Sequence, residues 1–414
     1  MITLLIEHLD ELWPVAGPAP LAGRRQGAHS PVADGAIACE GARIVAAGPT
    51  AEVRSAIRQD ATTRVVDGRG RSLVPGFVDG HTHVVYAGDR REELRRRLAG
   101  ATYTEVAAAG GGILSTMRAT RAASEAELVE QTRARLAEML AAGSTTVEAK
   151  SGYGLTLESE IRMLRVIAAL NDAQPVELAS TFMGAHEVPP EFRGRQGEFV
   201  DAIVQEMIPA AAGLAEWCDV FCDRGFFTPE ESVAILEAGK RAGMKPRIHA
   251  DELAASGGPG VAARVGARSA DHLVQVTPAG IAELAAAGTV ATLLPAAAFF
   301  LKLGRFAPAR DLIAAGVPVA LATDVNPGGG LSPSMPFVMT LGCFAMGLTF
   351  EEALSAATIN GAYSLDRHDR VGSLEPGKQF DAVLVDGPAV NLLRTNTATI
   401  AAVYKKGLEV HARQ

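Results

Sequence analysis

The sequence predicts an α/β protein, a (β/α)8 TIM-like barrel with a β-sandwich accessory domain formed from both chain termini. The middle of the chain alternates short strand-like runs with helical stretches rich in Ala, Leu, Glu and Arg. Eight such units over roughly 300 residues have the length and rhythm of this barrel. Both ends of the chain instead consist of short strands and turns. A doubly wound open sheet is the alternative that the alternating pattern leaves open.

Barrel strands are expected where short apolar runs are bounded by turns or helical stretches. These runs cover residues 73–78, 144–147, 176–181, 217–221, 245–248, 268–270, 289–294 and 317–322. The barrel domain is therefore predicted to span 73–369.

The two ends of the chain, 1–72 plus 370–414, are predicted to combine into one β-sandwich domain. In the first part, residues 36–39 and 43–48 flank a Glu40-Gly41 turn, which is typical of a β-hairpin. The last part has the same pattern of short strands and turns, with apolar runs at 381–385 and 400–404.

Composition excludes several classes of protein. Of the 414 residues, 48% are hydrophobic, which allows a large core and excludes global disorder. The net charge is −8, and the arginines between 90 and 97 are interpreted as a solvated helix face, so no nucleic-acid partner is expected. No apolar stretch approaches the roughly 18–20 residues of a membrane span. The first residues lack a cationic segment, so a signal peptide is not expected either.

The chain has four cysteines, Cys39, Cys218, Cys222 and Cys343. Cys218 and Cys222 are close in sequence, but no second pair completes a thiolate zinc site. All four are interpreted as buried free thiols in a reducing compartment, and the protein is expected in the cytoplasm.

Polar side chains follow nearly every predicted barrel strand. In chain order they are His81, His83, Glu148, Lys150, His186, Asp223, His249, His272 and Asp324. The carboxyl ends of barrel strands open onto one face, where active sites of this fold lie. These residues are therefore expected to converge on one pocket.

His81 and His83 end the first strand-like run and point to the same side of an extended backbone. For this pair alone, a surface turn is the alternative. Together with His249 and Asp324 it makes a set of imidazole nitrogens and one carboxylate that suits Zn²⁺ or Fe²⁺. We expect one divalent or trivalent metal ion per chain, Zn or Fe, bound by these four residues. Such an ion lowers the pKa of bound water to about 7, and Asp324 could also hold the water's proton.

Three stretches resemble the amidohydrolase superfamily: PGFVDGHTH (75–83), TD (323–324) and GSLEPGKQFDA (372–382). The resemblance spans nearly the whole chain. It implies a metal-dependent barrel with a β-sandwich made from both chain ends.

More specific stretches resemble the imidazolonepropionase family within that superfamily. They are FVDGHTHVVYAGDR (77–90), AGGGI (109–113), KSGYG (150–154), FMGAH (182–186), HADE (249–252) and TDVNPG (323–328). This resemblance implies hydrolysis of 4-imidazolone-5-propanoate to N-formimidoyl-L-glutamate, a step in histidine degradation. It also implies a homodimer.

The resemblance also implies which residues bind the substrate. They are Arg90, Tyr153, His186, Glu252, Asn326, Gly328 and Gly329. Arginine is a residue type that binds carboxylates through paired N–H donors, so Arg90 is expected to anchor one. The alternative is that Arg90 is a surface charge. Tyr153 would present its phenol from a Gly-flanked turn, and His186 would donate a hydrogen bond. The family often has Ser or Thr where this chain has Gly329, so only a backbone contact is expected there.

Glu252, His272 and Asp324 are the expected catalytic residues. Glu252 lies three residues after His249, and on a helix beginning there the two would share a face. It could then relay a proton to the leaving nitrogen. His272 could polarise the carbonyl as the oxyanion develops. A role for His272 as a fourth histidine ligand is the competing interpretation.

Two other features bear on the site. Residues 110–112 are three glycines, interpreted as a flexible active-site turn because they lack the Lys-Ser/Thr of a phosphate-binding loop. Lys150 follows a strand, and some relatives use a carboxylated lysine to bridge two metals. A single metal is favoured, because the four ligands already close one site.

Two rival functions are considered. A cytosine or guanine deaminase of the same superfamily would act on a ring without needing a carboxylate anchor, and Arg90 with Tyr153 argues against it. A barrel that binds metal without catalysis would be expected to lack groups around the metal, and here the proposed acid–base residues are all present.

Overall fold

The computed structural model describes residues 1–101, 111–394 and 399–413. The strands of this part of the chain are β1 (Leu4–Leu9), β2 (Glu11–Leu12), β3 (Gly35–Glu40), β4 (Arg43–Pro49), β5 (Arg64–Asp67), β6 (Arg71–Pro75), β7 (Phe77–Asp79), β8 (Ser144–Lys150), β9 (Glu177–Ala185), β10 (Trp217–Cys222), β11 (Lys245–Pro246), β12 (Ile248–Ala250), β13 (Ser269–His272), β14 (Val290–Leu293), β15 (Val319–Leu321), β16 (Ala382–Asp386), β17 (Ile400–Lys405) and β18 (Leu408–Ala412).

The α-helices are Thr50–Ala56, Arg91–Leu98, Ile113–Ala122, Glu125–Ala141, Leu157–Ala173, Gln196–Ala202, Ile208–Ala211, Pro229–Arg241, Gly258–Val265, Pro278–Ala287, Pro295–Phe300, Ala309–Ala314, Met335–Met346, Phe350–Ala357 and Ile359–Ser364. Short 3-10 helices cover Gly23–Gly27, Pro190–Phe192 and Ala389–Leu393, and a π-helical turn covers Ile203–Met207. Capping boxes begin three of the α-helices, at Ser124, Thr228 and Thr349, each with a Glu three residues later.

Eight strands pair in parallel to form the barrel. They follow one another in the order β7, β8, β9, β10, β12, β13, β14 and β15, and the short β11 pairs with β10. The segments after β7 and β15 also meet. The backbone N–H of Asp324 donates to His81 O (3.0 Å), and that of His83 donates to Val325 O (2.9 Å). The strand order does not reverse, so the (β/α)8 barrel is confirmed and the open sheet is excluded.

The first predicted strand, 73–78, is divided between two sheets. Its beginning belongs to β6, which pairs with β16, whereas β7 pairs with β8 in the barrel. Gly76 lies at the change of partner, where a Cβ atom would stand 2.7 Å from Thr145 Cγ2. The prediction of one strand was wrong here, because an apolar run does not reveal where its pairing partner changes.

The two chain ends form two sheets packed on each other. One has the order β4-β3-β1-β5, the other β18-β17-β16-β6-β2. Side chains from both share one buried cluster, which includes Leu4 and Ile6 from the first sheet and Leu73, Leu384 and Tyr404 from the second. The β-sandwich from both termini is thus confirmed. Since β6 reaches Pro75, we propose that the barrel domain begins at Gly76 rather than at residue 73.

Two smaller predictions concern single segments. The hairpin around Glu40-Gly41 is present, with Gly41 at φ +56°. Gly111 and Gly112 precede the helix Ile113–Ala122, while Gly110, the first residue of the predicted glycine turn, lies outside the described residues.

All four cysteines are free thiols, and Cys39, Cys218 and Cys222 are buried. Cys343 is only half-buried, which corrects the prediction for that residue. Among the helices described here, none is both long and apolar enough to cross a membrane.

Candidate active site

Three histidines from two barrel strands meet at the carboxyl end of the barrel. His81 and His83 follow β7, and His249 lies in β12. All three are at most 3% exposed, and one ring nitrogen from each lies within 4.8 Å of the other two. The Nε2 atoms of His83 and His249 are 3.2 Å apart. Two ligands of one tetrahedral ion, each about 2.1 Å from it, stand about 3.4 Å apart, so this spacing fits a shared metal.

Asp324 completes this cluster from the segment after β15. Its Oδ1 lies 3.7 Å from the Nε2 atoms of both His81 and His83. Within the described part of the chain, Asp324 Oδ1 and His81 Nε2 are buried without a hydrogen-bond partner. Buried polar atoms are rarely left in this state. These unsatisfied nitrogen and oxygen atoms face one another as metal ligands do, so the predicted set fits an ion.

Buried acidic residues orient two of these histidines. His81 Nδ1 lies 2.7 Å from Asp271 Oδ2, which also accepts a hydrogen bond from Arg247 Nη2 (3.2 Å). His249 Nδ1 lies 3.1 Å from both carboxylate oxygens of Asp219. A carboxylate at one ring nitrogen fixes the tautomer and directs the other nitrogen's lone pair towards a metal.

Lys150 lies behind Asp219. Its Nζ is 2.7 Å from Asp219 Oδ2 and 2.7 Å from Glu148 Oε1. Burial acts to lower the pKa of Lys150, but the two carboxylates outweigh it and raise that pKa. Lys150 is therefore held as a charged ammonium between two partners, an arrangement that does not favour its use as a carboxylated, metal-bridging side chain.

The electrostatics of the cluster suit metal binding. Burial, together with neighbouring positive charge, lowers the pKa of His81 and His83 well below the usual value. Both imidazoles are then neutral, which is the form that binds metals. Burial also raises the pKa of Asp324 to about 8. An ion would supply the positive charge that this carboxylate otherwise lacks.

Glu252 and His272 lie beside the cluster. Glu252 Oε1 is 3.5 Å from His272 Nδ1. Burial raises the pKa of Glu252 well above its usual value, and the charges of Asp324 and Asp223 act in the same direction. The group of three histidines that could share an ion does not include His272. This geometry favours a role for His272 towards the substrate over a role as a fourth ligand.

The local structure expected for Glu252 was wrong. Residues 251–254 form a bend, and the next helix begins only at Gly258. Asp251 adopts φ +49°, which breaks a helix at once. The bend is held by Asp223, whose carboxylate accepts hydrogen bonds from the N–H groups of Leu253 (2.7 Å) and Ala254 (3.1 Å). Glu252 reaches the site from this bend and not from a helix face.

A cavity of about 70 Å³ opens onto the cluster. The predicted residues that line it are Arg90, Tyr153, His186, Glu252, His272, Asp324, Asn326 and Gly329, together with His83 and His249. The rings of His83 and His186 stack at a centroid distance of 4.7 Å, and Tyr153 lies 5.2 Å from His186. Five of the nine predicted strand-end residues therefore converge on this pocket, and the other four, His81, Glu148, Lys150 and Asp223, do not line it.

Arg90 stands at the side of this cavity. Its Nε donates to Thr116 Oγ1 (2.9 Å), and its Nη2 has no hydrogen-bond partner among the residues the structure describes. Gly328 lies against the guanidinium, so that a Cβ atom there would be 3.0 Å from Arg90 Cζ. Gly328 thus belongs to the site by making room for Arg90.

The 326–329 loop differs from expectation. The N–H groups of Gly328 and Gly329 both donate to Asn326 Oδ1, at 2.8 and 2.7 Å. Asn326 Nδ2 in turn donates to Asp324 O (2.8 Å). These two N–H groups are therefore not open to a ligand, because Asn326 Oδ1 already accepts both, which corrects the backbone contact expected at Gly329. Asn326 instead connects the loop to the backbone of Asp324.

Sequence reasoning missed Asp219, Asp271 and Arg247. All three are fully buried in barrel strands or directly beside them. The signal was a charged residue inside a short apolar run, as in WCDVFC (217–222). Buried charges are rare unless they are paired, so such a residue marks a polar network in the barrel.

The fold and the site define the class of this protein: it is a member of the amidohydrolase family, whose model matches residues 72–410. Within that family the chain belongs to the imidazolonepropionases. It is 49% identical to the imidazolonepropionase of Symbiobacterium thermophilum, over 94% of this chain and 92% of that protein. It is 48% identical to the one from Geobacillus kaustophilus, with the same two coverages.

Solved structures of low identity share the fold. The Escherichia coli guanine deaminase superposes with a TM-score of 0.75 at 16% identity, over the whole of both chains. An adenosine deaminase from Xanthomonas campestris with bound zinc gives a TM-score of 0.69 at 22% identity, over 98% of this chain and 92% of that one.

Proposed function

We propose that this protein hydrolyses the cyclic amide of 4-imidazolone-5-propanoate to N-formimidoyl-L-glutamate, a step in histidine degradation. The observation that carries the proposal is one cavity lined both by Arg90 and by His83 and His249 of the three-histidine cluster. The relatives named imidazolonepropionase support it over nearly the full length of the chain. A deaminase acting on a purine or pyrimidine ring would have no carboxylate for Arg90 to bind.

Arg90 anchors the propionate arm in this proposal. Its guanidinium offers paired N–H donors that match a carboxylate, and its Nη2 has no other acceptor among the described residues. Tyr153 and His186 stand next to each other in the same cavity. They would hold the ring by hydrogen bonds, and Asn326 would act by holding the loop that faces Arg90.

Glu252, His272 and Asp324 carry the proton transfers. Burial raises the pKa of Glu252, which favours the protonated carboxyl, the form that can donate a proton to the leaving nitrogen. His272 is neutral, since burial lowers its pKa, and its ring N–H can polarise the carbonyl oxygen. Asp324 accepts the proton of the attacking water.

We propose one metal ion per chain, Zn or Fe, held by His81, His83, His249 and Asp324. When bound, such an ion acidifies water and polarises a carbonyl. The nitrogen and oxygen donors suit either metal, and availability often decides between them. The ammonium of Lys150 between Asp219 and Glu148 supports a single site.

We propose that two copies of the chain associate. Phe299 and Phe344 are 50% and 81% exposed, and Phe299 packs against Phe337 on the helix that also carries Phe344. Phe337 and Phe344 are seven residues apart and share a helix face, and an exposed apolar face of this kind would suit an interface. Light scattering in solution would give the mass.

The four free thiols support a reducing compartment, the cytoplasm.

The first experiment measures turnover and metal in the same sample. Freshly prepared imidazolonepropionate should disappear spectrophotometrically with the metal-loaded protein, and removal of the metal by a chelator should abolish the activity. Guanine and cytosine serve as alternative substrates and should not react. A metal-replete protein that does not consume imidazolonepropionate would show the proposal to be wrong.

The Arg90→Ala variant tests the substrate anchor. Loss of a hydrogen bond to a charged group should lower kcat/KM by about 10- to 100-fold, mainly through KM. Arg91→Ala is the control, because Arg91 is 85% exposed and pairs only weakly with Asp89 at 3.4 Å. An unchanged kcat/KM in Arg90→Ala would rule out the anchor role.

A further inference from the structure

The loop of residues 152–155 carries Tyr153 into the cavity in an unusual backbone conformation. Gly152 has φ +102°, and Leu155, although not a glycine, has φ +52°. Such conformations persist only where the surroundings hold them. The 152–155 loop is also buried throughout, so its backbone groups need partners from the protein.

Glu160 supplies the acceptors for this loop. It lies in the first turn of the helix Leu157–Ala173 and is fully buried. Its Oε2 accepts the N–H of Gly152 (2.9 Å), and its Oε1 accepts those of Gly154 (2.8 Å) and Leu155 (2.7 Å). A single carboxylate thus binds three backbone donors, one before Tyr153 and two after it.

Arg121 supplies the donors from the opposite side. Its Nε donates to Gly154 O (2.7 Å), and its Nη2 donates to Leu155 O (3.2 Å). Its Nη1 pairs with Glu191. Gly154 therefore has its N–H bound by Glu160 and its carbonyl bound by Arg121.

The 152–155 loop also fixes His186. The carbonyl of Gly152 lies 3.0 Å from His186 Nδ1, where it accepts the ring N–H. This bond sets the tautomer, so the other ring nitrogen, Nε2, is available on the cavity side as an acceptor and not as the donor that the sequence predicted. A shift of Gly152 would move both Tyr153 and His186.

We propose that Glu160 and Arg121 are positioning residues, which hold the 152–155 loop so that Tyr153 and His186 reach the substrate. Neither residue belongs to the cavity lining. This inference rests on the proposed function of that cavity. It adds two residues that act on substrate affinity through the backbone of the loop.

Glu160→Gln is the principal variant. The amide can keep an oxygen towards Gly154 and Leu155, but then its NH2 group faces the N–H of Gly152 and repels it. We expect KM to rise about tenfold while kcat changes by less than about threefold. Glu158→Gln is the matched control, because Glu158 lies in the same helical turn, carries the same charge and is exposed; it should leave both constants unchanged.

Arg121→Met gives a second test that does not disturb the buried carboxylate. KM should rise in this variant, and Arg121→Lys should restore part of the affinity, because an ammonium can still donate to one of the two carbonyls. Combining Glu160→Gln with Tyr153→Phe should raise KM by less than the product of the two separate effects. A full product, or an unchanged KM in Glu160→Gln, would contradict the positioning role.

Amide hydrogen exchange separates this inference from the proposed function. Peptides that cover 152–155 should exchange faster in Glu160→Gln and Arg121→Met than in Glu158→Gln and the wild-type protein. Unchanged exchange would contradict the role of Glu160 and Arg121 alone. Absence of turnover by the wild-type protein would instead contradict the proposed function alone.

Discussion

At the scale of single residues, the position of Arg90 depends on a missing methyl group. Arg90 is held by Thr116 through its Nε, and its guanidinium lies directly against the Cα of Gly328. Gly328 does not have a positive φ, so its backbone would tolerate a side chain. The reason for glycine here is the close approach of the guanidinium and not the backbone conformation.

Gly328→Ala should therefore impair substrate binding more than folding. The new methyl group would meet the flexible end of a side chain, which can move away at little cost to stability. The displaced guanidinium would then lose its alignment with the propionate, and KM should rise about tenfold. Steady-state kinetics and the thermal midpoint of the same sample check this. The control is Gly197→Ala, where a Cβ meets nothing within 4 Å. A large fall in the thermal midpoint with normal KM would contradict the argument.

At the scale of elements, one short helix connects the loops on the substrate side. Arg97, in the last turn of the helix Arg91–Leu98, donates through Nη2 to Gly328 O (2.6 Å) and through Nη1 to Phe300 O (3.2 Å). Phe300 ends the helix that follows β14, and Gly328 lies in the loop that follows β15. Arg97 therefore connects three segments: its own helix, the helix that ends at Phe300 and the loop that contains Gly328.

Arg97→Met should loosen these segments while keeping the bulk of the side chain. We expect KM to rise several-fold, because Gly328 would no longer be fixed beneath Arg90. Arg96→Met is the matched control, since Arg96 is exposed and adjacent on the same helix. If both variants had the same KM, the connecting role of Arg97 would be refuted.

Much of this element scale could be predicted from the sequence. Buried parallel strands appear as short apolar runs in the sequence. Polar residues that directly follow several such runs indicate a shared pocket, because the carboxyl ends of barrel strands lie on one face. For that reason the sequence alone predicts that His81, His83, His249 and Asp324 lie together. Their convergence follows from the fold and needs no knowledge of the individual contacts.

The remaining features depend on backbone turns and on pairing partners, which a local pattern does not show. The bend at Asp251 replaces the helix expected for Glu252, although the spacing from His249 suggested a shared face. Glu160 was not singled out, because a Glu in the first turn of a helix is common for electrostatic reasons alone. Its role becomes visible only when the 152–155 loop is seen folded over it.

At the scale of the whole molecule, the active-site cavity and the β-sandwich lie at opposite ends of the barrel. The cavity lies at the carboxyl ends of the barrel strands, whereas the sandwich contacts their amino ends. Lys405 of β17 is 3% exposed and bridges the two parts. Its Nζ lies 2.7 Å from Asp381 Oδ2, 3.4 Å from Thr146 Oγ1 in β8 and 3.7 Å from Glu177 Oε2 at the start of β9.

Lys405→Met should therefore reduce stability without changing catalysis. Removing one partner of a buried ion pair leaves Asp381 buried and uncompensated, which costs about 3 kcal/mol in the free energy of unfolding. At low temperature the variant should keep the kcat and KM of the wild-type protein. The active site is built from the carboxyl ends of the strands and their loops, at the opposite end of the barrel from Lys405. Denaturant unfolding followed by circular dichroism, with kinetics on the same preparation, measures both quantities.

Lys406→Met changes the same charge at the next, exposed position and should alter stability by less than about 0.5 kcal/mol. Equal losses of stability in the two variants would mean that Lys405 contributes no more than a surface charge. A selective loss of kcat in Lys405→Met would mean that the sandwich acts on the active site and does not merely support the barrel.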